Sequence, residues 1–91
     1  MKTIAHDEAR ARLAELPGWR LSGNAIEKVF DRENFDGSLA FVNAVAVAAN
    51  AANHHPDVTI QWNRVTLTLS THVAGGLTER DFALAKAIEA L

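Results

Sequence analysis

Between Val58 and Ser70 the chain alternates apolar and polar residues almost without a break, and this constrains its fold more than any other stretch. Val58, Ile60 and Trp62 stand against Thr59 and Gln61, while Val65, Leu67 and Leu69 stand against Thr66, Thr68 and Ser70. A period of two sends successive side chains to opposite faces of a strand. The two runs therefore predict an antiparallel hairpin with one dry face and one wet face. Trp62 has two readings, a core residue or one that flanks a bound ligand, and its parity with Val58 and Ile60 favours the core. Asn63-Arg64 is the expected two-residue loop, which pairs Trp62 with Val65, Thr59 with Thr68 and, at the open end, His55 with His72. Directly opposed residues hold their Cβ atoms roughly 4.5–5.5 Å apart, so this register predicts two imidazoles able to share one small ligand. The ladder would cross Pro56, which has no N–H to donate.

The flanking segments fill in a layered domain. Ala5 to Leu16 reads as a short amphipathic helix, with Ala9, Leu13 and Leu16 at helical spacing and Pro17-Gly18 as its stop. Trp19–Leu21 and Ala25–Phe30 are predicted strands joined by a turn at Ser22-Gly23-Asn24. Asp36-Gly37-Ser38 is a helix-start signal, and a helix is expected from about Ser38 to Ala52. That helix is apolar nearly all round and rich in alanine, which predicts burial on more than one side. Gly75-Gly76 breaks the chain, and Thr78 caps a last helix running to Leu91. The predicted order α-β-β-α-β-β-α is a single domain over residues 1–91. Its class is α+β: two layers, with a four-stranded antiparallel sheet covered by three helices on one side.

Composition excludes several function classes. A chain of 91 residues buries only about 60–65 % of its unfolded surface, enough for two layers and little more. The net charge of −2 comes with no run of Lys or Arg, so no direct nucleic-acid contact and no anionic membrane surface is expected. The absence of cysteine removes disulfides, thiolate chemistry and cysteine-type zinc sites together. No apolar run is expected to reach the ~20 residues of a membrane span. The charged segment from Met1 to Arg12 does not read as a signal peptide, so the default compartment is the cytoplasm.

Three of the four histidines, His54, His55 and His72, fall in or opposite one short turn. An imidazole with an unperturbed pKa near ~6.5 serves as acid or base at neutral pH. Two blander readings stand beside catalysis: a loop pair that only hydrogen-bonds its turn, and a three-histidine metal site. Asp81, in Thr78-Glu79-Arg80-Asp81, has the position of a capping-box acid. His6 is expected to be simply exposed.

The spacing of these residues resembles the pterin-4a-carbinolamine dehydratases. The match runs Asn53-His54-His55-Pro56, five residues, Trp62, nine residues, His72, eight residues, Asp81, with Leu69-Ser70-Thr71-His72 and Gly76-Leu77-Thr78-Glu79-Arg80-Asp81 around it. Weaker similarity continues upstream through Gly18-Trp19, Ile26–Phe30 and Phe41-Val42. The resemblance implies a hydro-lyase that removes water from a 4a-hydroxy-tetrahydropterin to give quinonoid dihydropterin, with no cofactor and no metal. It makes His54, His55, His72 and Asp81 the expected catalytic set. Within that set, His54 and His72 would be the acid–base pair, His55 would bind and polarise the ring, and Asp81 would orient a histidine. Asn53, Pro56, Thr71 and Asn50 are then the expected substrate-side positions. Asn50 departs from the family's usual acidic residue, so it can hydrogen-bond but supplies no charge. The resemblance also implies homodimers or homotetramers. It carries an alternative too: a weakly active relative that acts in protein assembly or as a dimerisation cofactor.

Overall fold

The structure is a computed structural model that describes residues 2–91. The elements are α1 (His6–Leu13), β1 (Arg20–Ser22), β2 (Ala25–Asp31), α2 (Phe35–Ala52), β3 (Asp57–Gln61), β4 (Arg64–Leu69) and α3 (Glu79–Glu89), with a 3-10 turn at His72–Ala74. The order is the predicted one, and the strands form one antiparallel sheet in the order β1-β2-β4-β3.

The alternation in β4 decides which face of the sheet is covered. Val65, Leu67 and Leu69 are fully buried, and their partners on β2 are Phe30, Lys28 and Ile26. Ile26 and Phe30 join the same core, which Phe41, Val45 and Ala49 of α2 and Phe82, Leu84, Ala85 and Ile88 of α3 close from above. Glu27, Thr66 and Thr68 stand on the opposite face. Burying one Leu or Ile is worth roughly 1.5–3 kcal/mol, so a one-residue slip of β4 would forfeit several such contributions at once. That fixes the strand's facing.

The hairpin loop differs from the expectation. Ile60 pairs with Val65 and Gln61 with Arg64, so the loop is Trp62-Asn63, one residue earlier than Asn63-Arg64. Neighbouring elements hold it there: Ser38 Oγ donates to the Trp62 carbonyl at 2.5 Å, and Arg32 N–H donates to the Asn63 carbonyl at 2.7 Å. Every β4 partner moves by two, so facing is kept while pairing changes. Thr59 lies opposite Thr66, and the ladder ends at Asp57–Thr68. His55 and His72 are therefore not a cross-strand pair. Trp62, expected in the core, sits at the loop with a left-handed φ of 53° and 62 % exposure.

Helix α2 starts three residues before the expected Ser38. Its cap is Asn34, whose Oδ1 accepts the Gly37 N–H at 2.8 Å, and a β-carbon on Gly37 would overlap the Arg32 carbonyl. Nor is it buried on more than one side. Ser38, Phe41, Val45 and Ala49 form one buried stripe, whereas Leu39 and Val47 on the outer face are exposed, Val47 by 72 %. Contrary to the expectation that no apolar run approaches spanning length, α2 does have the length and mean hydropathy of a membrane span. Helix α1 ends at Leu13, and Leu16 is buried from the turn that follows.

Candidate active site

Helix α2 ends where the histidines begin. Asn53 adopts the left-handed conformation (φ 50°), its N–H bonds to the Asn50 carbonyl, and the His54 N–H reaches back to the Ala49 carbonyl at 3.1 Å. Asparagine tolerates this backbone better than most residues. The turn separates the two imidazoles. His54 goes inward, 8 % exposed, with Nε2 at 2.5 Å from Asp81 Oδ1. His55 stays exposed, with Nε2 at 2.9 Å from Asn50 Oδ1.

Asp81 is fully buried and satisfied on both oxygens. Its Oδ2 accepts the Thr71 hydroxyl at 2.8 Å and the Thr78 N–H at 2.9 Å, the latter as part of an α3 capping box. The two roles read for Asp81 in the sequence, helix cap and histidine partner, coexist on separate oxygens. A carboxylate only accepts, so Nε2 of His54 carries a proton. Among the described residues its Nδ1 has no hydrogen-bond partner, yet the one buried, unpartnered side-chain polar atom among them is Arg32 Nε. Nδ1 is therefore open to solvent in the cleft that His54 lines.

His72 arrives from the other side. Thr71 and Gly76 form an isolated antiparallel bridge, and Gly75 (φ 79°) closes the 3-10 turn that carries His72 and Val73 outward. The result is an open cleft of about 280 Å³ lined by Asn53, His54, His55, Ser70, Thr71, His72, Val73 and Arg80. Thus the predicted His54, His55, His72, Asn53 and Thr71 come together directly. Asp81 stands behind His54. Asn50 and Pro56 lie with His55 along an adjoining apolar groove of about 140 Å³ between α2 and β3. Trp62 lines neither.

Three lining residues, Ser70, Val73 and Arg80, were not singled out as site residues in the sequence, and the charged one is Arg80. Its Nη2 donates to the Asn53 carbonyl at 2.6 Å, tying the start of α3 to the histidine turn. It lies within the quoted Thr78-Glu79-Arg80-Asp81 segment, where capping accounted for its neighbours and nothing in the spacing aimed its side chain at the turn. No carboxylate is among the described lining residues; three imidazoles, the Arg80 guanidinium and the polar side chains of Asn53 and Ser70 line the cleft, while the Thr71 hydroxyl is turned inward to Asp81. Such a surface can both donate and accept protons and hydrogen bonds. Among the described residues no three His, Cys, Asp or Glu side chains are placed so that they could hold a metal ion. A larger depression of about 370 Å³ lies near Lys28, Arg32, Phe41 and Glu89. Lys28 there is paired with Glu89 at 2.9 Å and no imidazole is present, so size alone does not locate the chemistry.

Comparison with known proteins identifies the family. The family model described as pterin 4 alpha carbinolamine dehydratase matches residues 2–91. A Chloroflexus aurantiacus protein with the provisional name pterin-4-alpha-carbinolamine dehydratase is 51 % identical over 89 residues, covering 98 % of this chain and 96 % of that protein. A relative of the same provisional name from Acidobacterium capsulatum is 56 % identical over 80 residues, covering 88 % of this chain and 87 % of that one. Among solved structures, a transcriptional coactivator/pterin dehydratase from Brucella melitensis superposes with a TM-score of 0.91 at 32 % identity, over 98 % of this chain and 97 % of that one. A pterin dehydratase-like protein described as a RuBisCO assembly factor in the alpha-carboxysome superposes with a TM-score of 0.67 at 25 % identity, over 80 % of this chain and 87 % of that one.

Proposed function

The chain belongs to the pterin 4 alpha carbinolamine dehydratase family, and from that premise we propose that it dehydrates a 4a-hydroxy-tetrahydropterin by histidine acid–base catalysis. The observation that carries the reading is the pair His54–Asp81, with Nδ1 of His54 left open to a cleft that His55 and His72 also line.

The reaction breaks the C4a–O bond and forms C4a=N5. His54 Nδ1 takes the proton from N5, the electrons of the N5–H bond become the new π bond, and the departing hydroxide receives a proton from the His72 imidazolium to leave as water. A correctly placed acid or base is typically worth about 10²–10⁴ in rate. His72 is exposed, which suits an acid that must be reloaded from solvent. His55, held by Asn50 at 2.9 Å, is placed to bind and polarise the ring. We assign no cofactor and no metal to the step.

A homo-oligomer accords with two features: β3 is an edge strand, and the outer face of α2 exposes Leu39 and Val47. That same apolar face favours the second reading, a protein-assembly role like the one described for the RuBisCO-associated neighbour. A cysteine-free chain needs no oxidising compartment, and we place it in the cytoplasm.

The test follows freshly generated 4a-hydroxy-tetrahydropterin spectroscopically with wild type, His72→Ala and Asn50→Glu. Acceleration over the spontaneous rate by wild type, lost in His72→Ala, supports the enzyme. Acceleration by Asn50→Glu alone means a cleft lacking one charge. No acceleration by any of the three contradicts dehydration and leaves the assembly role.

A further inference from the structure

The hydrogen bonds behind His54 continue past Asp81, and their directions are forced. Asp81 Oδ2 can only accept, so the Thr71 hydroxyl, 2.8 Å away, must spend its proton there. Thr71 Oγ1 then has only lone pairs to offer Thr78 Oγ1 at 2.9 Å, so Thr78 is the donor in that bond. Thr78 Oγ1 in turn accepts the Arg80 N–H at 3.2 Å. The three side chains behind His54 are buried: Thr78 is 1 % exposed, Thr71 2 % and Asp81 0 %. Water therefore cannot replace a missing link, and a lost donor leaves an orphaned acceptor.

We infer that Thr78, the N-cap of α3, is a positioning residue for His54, acting through Thr71 and Asp81. The inference rests on the dehydratase reading for its kinetic consequence, but not for its structural one. Two donors, Thr78 N–H and Thr71 O–H, hold Oδ2 in place, which leaves Oδ1 aimed at His54 Nε2. The carboxylate cannot rotate without breaking both. Thr71 is held by its own main-chain bridge to Gly76, so its hydroxyl has little freedom to follow a displaced carboxylate. The cap that starts α3 and the orientation of the histidine are one device: the α3 N-terminus cannot fray without releasing His54. Positioning errors near 1 Å cost about 10²-fold in rate.

The test separates capping from positioning. Thr78→Val removes the hydroxyl at nearly constant volume, Thr78→Ser restores it, and Asn34→Ala removes the side-chain cap at the start of α2, where the Asn34 side chain bonds to the Gly37 N–H and not to the histidine cluster at the other end of the helix. The expected result is that Thr78→Val lowers kcat at least ~10-fold with KM within ~2-fold, as loss of aim and not of binding. Thr78→Ser recovers most of the rate. Asn34→Ala lowers Tm without lowering kcat. In ¹⁵N NMR, wild-type His54 shows a protonated Nε2 and an unprotonated Nδ1, and Thr78→Val mixes the tautomers. The inference is overturned if Thr78→Val keeps kcat within ~2-fold of wild type, or if its His54 tautomer is unchanged. Should wild type show no dehydratase rate, the function reading fails by itself and the NMR comparison still decides the positioning.

Discussion

Replacing Asp81 by asparagine changes one oxygen to an amide NH2 and nothing else in shape. The nitrogen has two places to go. At Oδ2 it would face two donors, Thr71 O–H and Thr78 N–H. At Oδ1 it faces one, His54 Nε2–H, and that conflict disappears if the imidazole moves its proton to Nδ1. The second arrangement wins, so Asp81→Asn should turn His54 into the other tautomer and present a donor to the cleft where a base is needed. Three charge-assisted bonds become neutral ones, each losing about 1 kcal/mol. The variant also escapes burying a charge, which offsets part of that loss. The net expectation is about 1–3 kcal/mol of destabilisation, or a fall in Tm near ~8–16 °C for 2 kcal/mol in a domain of this size. The catalytic loss should be larger, about 10²–10⁴ in kcat, since a general base is removed outright. Urea unfolding, single-turnover dehydration kinetics and the ¹⁵N shifts of His54 measure the three quantities. A variant that keeps kcat within about fivefold of wild type, with His54 in its original tautomer, would refute the reasoning.

Other consequences are cheaper to check. Gly37→Ala drives a β-carbon into the Arg32 carbonyl at the β2–α2 junction and should cost about 2–3 kcal/mol or more in urea melts; a loss under about 0.5 would contradict that close approach. Trp62→Gly should be neutral or stabilising by up to ~1 kcal/mol, because an exposed residue at positive φ gains from glycine, whereas a core tryptophan would cost about 3–5. The Arg12 guanidinium holds both oxygens of Glu79, chiefly by hydrogen bonding, and keeps its carboxyl below the usual carboxylate range. A depressed carboxylate contributes stability above its unfolded pKa of ~4.3, and that contribution is lost as pH falls through the folded value. Wild type should thus lose more stability than Glu79→Gln between about pH 5 and 3. The difference should be small and salt-sensitive, since both groups are exposed; parallel pH curves would remove the pair from the account.

Much of this architecture was legible because it rests on periodicity. The strict alternation at Val65, Leu67 and Leu69 located a sheet face, and Thr78 with Asp81 announced the start of α3 two ways. The hairpin loop was misplaced because Asn63 is the better turn former by side chain. Contacts from Ser38 and Arg32, distant in sequence, decide the matter instead. Trp62 followed the wrong parity for the same reason. The start of α2 was set three residues late because Asp36-Gly37-Ser38 carries plausible caps, yet only Asn34 is positioned to accept the Gly37 N–H. At the site, His54, His55 and His72 could be gathered from spacing. That His54 turns inward while His55 turns out could not, since it follows from the left-handed Asn53 and the buried Asp81. Arg80 was hidden in the same way, its reach to the Asn53 carbonyl being a tertiary fact with no periodic signature.

The most direct test of the account is a crystal structure of the protein with a 5,6,7,8-tetrahydropterin bound under anaerobic conditions, a ligand that keeps N5–H but lacks the 4a-hydroxyl and so cannot be dehydrated. The account predicts the ring in the cleft between His55 and His72, with Nδ1 of His54 within about 2.6–3.2 Å of its N5. A ring seated in the depression beside Lys28 and Arg32, or bound in the cleft with His54 turned away from it, would contradict the assignment.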